Sequence, residues 1–259
     1  MKITNWCRKL AATLLASGIW APSMAFAITI PLGDPSFEDY VVPPAVGYAY
    51  AAPPSGSYRP TSAWVDDLDS PPGYVQDNGD SNWLYDASYA ETGSAARKRP
   101  APLTGNQAMH GLGHYSAQET SAVFEANQTY TFSIWAQGDD DSTLSSSRVF
   151  LYIFDGSIPF SEANSLIFRR YGVDTGDFLN RALGMSAAQS QANWRQISLS
   201  YFVAPGAPEI GHTVGVAFWG ASDNAVDDAT LSAVPEPGTL VFVGMGLGGL
   251  VLCRSRRRE

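Results

Sequence analysis

The sequence predicts an all-β fold, an antiparallel jelly-roll β-sandwich, and three observations carry that expectation. Apolar residues recur at every second position through several runs, the period of a strand with one packed and one solvated face. Turn-forming residues fill the segments between those runs, as over 138–147, 155–159 and 204–211. No long stretch has the period of an amphipathic helix, so helical crossovers for a parallel sheet are missing. With 45% hydrophobic and 12% aromatic residues among 259, the chain has material for a real core, which excludes wholesale disorder.

The first element is an export signal. Lys2, Arg8 and Lys9 precede an apolar run over 10–21, and Ala25-Phe26-Ala27 places small residues at −3 and −1 of a cleavage point before Ile28. That order reads as a secretory signal peptide over residues 1–27. A membrane anchor is the other reading, but the apolar run is short for a span of ~20 residues.

The passenger follows over residues 28–233. Its early part, 41–102, is irregular, with Pro43-Pro44, Pro53-Pro54 and Pro71-Pro72, and is expected to supply long loops and edge strands. Trp64, Trp83, Tyr85 and Tyr89 are too many aromatics for a solvated tether. Strands are plainest later. Tyr130, Phe132, Ile134 and Ala136 form one alternating row, Ile197, Leu199, Tyr201 and Val203 another, and Val214, Val216 and Phe218 a third. The run 149–154 is apolar on both faces, and 186–192 is expected to make a short helix between strands.

The last element, 234–259, segregates charge from apolar residues again. Val234-Pro235-Glu236-Pro237-Gly238 leads into an apolar, Gly-rich stretch over 239–253, followed by Arg254, Arg256, Arg257 and Arg258. A buried core helix is a poor reading, because five glycines lie in or beside the stretch and the arginines follow directly. Basic residues beyond an apolar stretch hold that end on the cytoplasmic side. The order of Pro-Glu-Pro, short apolar helix and arginine cluster resembles the PEP-CTERM sorting signal of Gram-negative producers of exopolysaccharide. The resemblance implies a C-terminal transmembrane helix holding a membrane-retained intermediate. It further implies processing by an exosortase near Pro235, Glu236 and Pro237, loss of the arginines, and delivery to the cell surface or extracellular matrix. Such an address is silent on what the passenger does.

Charge and cysteine content narrow the function classes. The chain has 16 Lys and Arg against 25 Asp and Glu, without the basic footprint that a nucleic-acid partner needs. Loss of both ends removes seven of those basic residues and two of the acidic ones, leaving a passenger near −14 that repels anionic partners. Cys7 and Cys253 lie in the two end segments, so neither a disulfide framework nor a cysteine zinc site can be built.

Few residues mark themselves for catalysis. His110 and His114 are four apart, but Gly111-Leu112-Gly113 between them disfavours a helix, and no Glu follows His110 as in a zinc protease. No G-x-S-x-G elbow occurs, and among so many acids no pair stands out for glycoside hydrolysis. Asp66-Asp67-x-Asp69 and Asp139-Asp140-Asp141 lack the glycine and distal glutamate of an EF-hand loop. The expectation is a protein that is not an enzyme.

A second resemblance spans the passenger. Asp34-Pro35-Ser36-Phe37-Glu38 at its start, Gly105-Asn106-Gln107-Ala108 in its middle and Asp227-Asp228-Ala229-Thr230-Leu231 at its end are similar to the ordered motifs of jelly-roll, galactose-binding-like carbohydrate modules. Asp34 departs from the usual Asn there, and Ala229 from the usual Val. The resemblance implies a structural calcium shared by Glu38 and Asp227 with loop carbonyls; a salt bridge or a solvated strand end is the alternative. Parity independently places Trp135 and Trp219 opposite the packed rows of their strands, with Tyr152 as a third candidate. Aromatic faces stack on sugar rings, so these three are the candidate ligand-binding residues, unless loops cover them as ordinary core. The expected function is a non-catalytic surface or matrix protein that binds neutral polysaccharide, set against a structural or adhesive protein with no small ligand, or a hydrolase.

Overall fold

Parity in the sequence becomes sidedness in space. The computed structural model describes residues 26–38, 48–49, 64–66, 83–86, 100–111, 114–138, 147–181, 185–220 and 224–236, and the fold lies within Ala27–Glu236. Twelve strands are assigned among these residues: β1 (Ile28–Ile30), β2 (Tyr48–Ala49), β3 (Val65–Asp66), β4 (Trp83–Asp86), β5 (Gln107–Gly111), β6 (His114–Val123), β7 (Gln128–Gly138), β8 (Arg148–Asp155), β9 (Ser165–Gly172), β10 (Arg195–Val203), β11 (Thr213–Gly220) and β12 (Asn224–Pro235). They form two antiparallel sheets. One runs β10-β7-β12-β5-β4-β2 with β1 also on β12; the other runs β3-β6-β11-β8-β9. From β5 onward the chain changes sheets at each connection except the β8–β9 hairpin, so neighbours in sequence face each other across the core. That is the jelly-roll sandwich the sequence predicts.

The inner rows are the apolar rows read above. Phe132 and Ile134 of β7, Leu151 and Ile153 of β8, and Val214, Val216 and Phe218 of β11 are fully buried in one core. The irregular early segment supplies its centre. Trp64 lies 5.3 Å from Phe218 and 6.5 Å from Phe132 between ring centroids, and Phe37 lies 5.9 Å from Trp64. The indole N–H of Trp64 donates to the Asp34 carbonyl at 3.1 Å, which satisfies the one polar atom that this large side chain buries.

The expected short helix is α1, Ala187–Gln191. Ser186 caps it, and the Gln189 side chain answers back to the Ser186 N–H at 2.9 Å, a capping box. Residues 1–25 of the predicted signal peptide lie outside the described residues, as do Pro237, the apolar stretch 239–253, Arg254, Arg256, Arg257 and Arg258. Among the described residues no helix is long and apolar enough to cross a membrane.

Candidate functional site

The outer face of the five-stranded sheet carries an aromatic array. Tyr115 of β6, Trp219 of β11 and Phe150 of β8 stand opposite one another in a row, and the next row sets Ala117, Ala217, Tyr152 and Phe168 of β9 side by side. Glu119, Gly215 and Phe154 begin a third. Trp219 packs edge-on to Phe150 at 5.1 Å, and Tyr152 stacks on Phe168 at 5.8 Å. The small residues in the middle rows make room for Phe160, which folds back from the β8–β9 connection to 5.2 Å from Tyr115 and 4.9 Å from Phe154. Gly215 is required here: a Cβ on it would sit 2.4 Å from the tip of the Phe154 ring.

The face is graded from covered to open. Tyr115, Tyr152 and Phe160 are buried, Trp219 and Phe150 are half-buried, and Phe168 is 59% exposed. One carboxylate at its edge is hydrogen-bonded to the array. Glu162, in the 3₁₀ turn Glu162–Asn164, accepts hydrogen bonds from the hydroxyls of Tyr115 and Tyr152. Burial, and then the Glu162 carboxylate, push the Tyr115 phenol well above its ordinary range, so it stays a neutral donor. The arrangement offers apolar ring faces beside a fixed acceptor, which suits stacking and hydrogen bonding.

These positions correct the expected platform. Trp135 lies on β7 of the other sheet, half-buried against Tyr85, Ala108, Trp194 and Ala225, so it shares no face with Trp219. The Trp194 indole donates to the Ala101 carbonyl at 2.9 Å, and Ala101 in turn donates to Ser190 of α1; the segment before β5 and α1 thus cover this side. Tyr152 belongs to the array but as its buried floor. Phe168, its most exposed ring, was not singled out from the sequence. Its strand, SLIFRRYG, sets Leu166, Ile167 and Phe168 side by side and follows them with two arginines, so no apolar alternation marks it.

The three short motifs of the second resemblance meet at one corner of the seven-stranded sheet. β12 pairs with β5 through Val226 and with β1 from Leu231, and the intervening residues bulge, with Asp228 at φ 47°. The 103–107 segment and the 34–38 segment both bind at this corner. Asp227, fully buried, accepts from the Leu103 and Thr104 N–H groups at 2.9 and 3.3 Å, and from Asp228 N–H at 2.8 Å. Glu38 accepts from Asn106 and Gln107 N–H, both at 2.7 Å. Ala229 N–H donates to the Pro35 carbonyl at 2.7 Å. Gly105 sits at φ 57°, and a Cβ there would fall 2.3 Å from the Glu38 carboxylate, which is why the middle motif begins with glycine. Burial, followed by the charge of Asp228, pushes Asp227 up to about 8 despite its three amide donors.

Glu38 and Asp227 therefore grip one loop from its two ends. Among the described residues no three His, Cys, Asp or Glu side chains converge on a metal position, so a cation at this corner would need main-chain carbonyls to complete its shell. The two carboxylates keep acceptor capacity beyond their amide donors, and in that respect they fit calcium, which takes oxygen ligands only. His110 and His114 fall on strands of different sheets. His212 instead pairs through Nδ1 with Asp155 at 2.6 Å.

In overall fold the chain is similar to a cyclase from Fischerella sp. TAU, 14% identical, with 82% of this chain and 100% of that chain covered at a TM-score of 0.53. A Stig cyclase of the same organism, in complex with (3Z)-3-(1-methyl-2-pyrrolidinylidene)-3H-indole, is matched at 16% identity, with the same coverage and TM-score. A carbohydrate-binding module described as CBM4 is matched at 14% identity over 61% of this chain and 92% of that chain, with a TM-score of 0.31. At such identities the likeness concerns the fold alone. No curated protein matches the sequence. One match concerns identity: residues 233–258 carry the PEP-CTERM protein-sorting motif, which marks the chain for exosortase-mediated sorting to the cell surface.

Proposed function

We propose that this is an exported, surface-sorted and non-catalytic β-sandwich that binds neutral polysaccharide on the outer face of its five-stranded sheet. The observation that carries the reading is the row Tyr115–Trp219–Phe150, flanked in the next row by the exposed Phe168. Strands stand ~4.8 Å apart, so rings on adjacent strands make a strip about as wide as a pyranose. Glu162 and Glu119 at its margins, and the acidic passenger as a whole, disfavour anionic chains. Each stacked ring contributes on the order of 1 kcal/mol beyond buried area. Binding by one copy is then weak, and many copies on a surface reinforce it.

Affinity electrophoresis against a panel of neutral glycans tests this. Trp219→Ala is expected to lose most of the retardation that the parent shows, while Trp135→Ala, on the opposite sheet, keeps it. Equal loss in both variants would place the site elsewhere. A parent that no glycan retards would favour a structural or adhesive surface protein, and reducing-sugar release from a bound glycan would favour a hydrolase.

The corner at Asp227 supports a second proposal, a structural calcium ion held by Glu38 and Asp227 and completed by main-chain carbonyls. A carboxylate this buried, without a Lys or Arg partner among the described residues, is of the kind that metals compensate. An ion that binds only the folded state raises the melting temperature. Thermal scans in millimolar calcium and in chelator are expected to differ in the parent and to coincide in Glu38→Gln. Coincident midpoints in the parent would leave the amide clamp as the whole of the corner's chemistry.

A further inference from the structure

The sorting motif matches from residue 233, yet the sandwich does not end there. Ala233 stands opposite Ile28 of β1 on one side and Tyr130 of β7 on the other. Beyond it, Val234 pairs with Thr129 and Pro235 with Gln128. Pro235 lacks an N–H, which is tolerable at a strand end. Glu236 closes the pairing twice. Its N–H donates to the Asn127 carbonyl at 2.8 Å, and its carboxylate accepts from the Thr129 hydroxyl at 2.6 Å. Asn127 is held in the left-handed region at φ 61°, and its own N–H donates to Val203 of β10 at 2.9 Å. The turn that receives Glu236 is thus fixed from the far side as well.

An enzyme that takes an extended peptide into a cleft needs that peptide's edges and side chains free. Pro235 and Glu236 offer one edge to solvent and have the other zipped to β7. We propose that the folded sandwich withholds Pro235 and Glu236, the first two residues of the Pro-Glu-Pro element, from the processing enzyme, and that processing passes through a state in which residues 234–236 have peeled away from β7. Strand ends open far more readily than the core, so the gate delays processing without blocking it. Its rate then reports how firmly the final strand is seated. The proposal rests on the surface-sorting reading above.

The test follows conversion of full-length precursor to the processed form by pulse-chase and intact mass, in cells that carry the processing enzyme. Thr129→Val removes the hydroxyl that holds the Glu236 carboxylate and is expected to speed conversion several-fold, with an unchanged melting temperature. The pair Thr129→Cys with Val234→Cys faces itself across β7 and β12 and substitutes none of the Pro-Glu-Pro residues. The passenger has no other cysteine, and with Cys253 of the sorting segment changed to Ser, oxidation locks this end. The oxidised chain is expected to persist as precursor and to convert once reductant is added. Conversion of the locked chain at the parent's rate would overturn the gate. A parent that is never converted would instead overturn the sorting reading, and the gate with it.

Discussion

The two outer faces of the sandwich follow the same two-residue period and, away from the Trp135 cluster of the seven-stranded sheet, present opposite chemistry. On the seven-stranded sheet, Thr29, Ser232, Thr131 and Ser200 form one row across four strands, and Thr230, Ser133 and Ser198 form the next. On the five-stranded sheet the corresponding rows are Tyr115–Trp219–Phe150 and Ala117–Ala217–Tyr152–Phe168. The hydroxyl face satisfies itself. Thr131 and Ser200 share a hydrogen bond at 2.9 Å across the strands, and Thr29, Thr230 and Ser198 are exposed to solvent. The aromatic face cannot do this, and the β8–β9 connection folds Phe160 over part of it. What stays uncovered, Phe168 above all, is apolar area in water, and a partner gains by removing it. A strand's outward residues thus decide whether a face is solvated or leaves apolar rings in water, while the scaffold beneath them is common to both.

The largest effect that sharpens this contrast is expected from Gly215→Val. Its side chain would collide with the Phe154 ring, and overpacking of this kind costs about 1–3 kcal/mol. Thr131→Val on the hydroxyl face should stay within about 0.5 kcal/mol of the parent. Urea midpoints measure both, and similar midpoints for the two variants would erase the distinction between the faces.

A smaller effect separates binding from stability. Phe168→Ala removes an exposed ring, so the urea midpoint should hardly move. Glycan retardation should fall several-fold, the equivalent of about 1 kcal/mol. A loss of stability without a loss of retardation would make Phe168 a packing residue.

The smallest effect is pH-dependent and sits beside the aromatic face, where the β8–β9 connection is tied down. Burial alone would raise the Asp155 carboxyl, but hydrogen bonds from His212 and Ser157 outweigh it and bring the group below its ordinary value. A carboxylate held low in the folded state adds stability above its unfolded pKa and loses it as pH falls through the folded one. Asp155→Asn should therefore flatten the acid limb of the stability curve slightly, by lowering stability a little near neutrality and leaving it unchanged at low pH. The pair is partly exposed, so the change is small. An acid limb identical to the parent's would remove this tie from the account.

Much of this was legible before any tertiary structure. Strand parity, the short helix at 186–192 and the sorting motif are local patterns, because a side chain's face in a strand and the cap of a helix depend on residues within a few positions. The three short motifs of the carbohydrate-module resemblance pointed to one another, although only the structure explains why: Gly105 leaves space for the Glu38 carboxylate, and Asp227 takes the amides of Leu103 and Thr104. Sheet membership was not legible. Trp135 and Trp219 have equivalent outward parity, yet β7 and β11 lie in different sheets, so one tryptophan is packed beneath the segment before β5 and the other joins the aromatic array. Phe168 was hidden for a different reason: its strand runs Leu166-Ile167-Phe168-Arg169-Arg170 without apolar alternation, and only its pairing with Tyr152 shows which face it takes.

By itself, then, the sequence determined that the passenger is a β-sandwich, which rows of each strand are packed, and that its C-terminus carries a sorting address. The tertiary structure alone decided which aromatics share a face, which carboxylates share a loop, and that Glu236 is seated in the last strand's pairing. The physical reason is one of range. Periodicity and caps are set within one or two turns of chain, whereas neighbours across a sheet are chosen by burying the whole core at once, and residues more than a hundred positions apart, such as Thr129 and Glu236, meet only as a result.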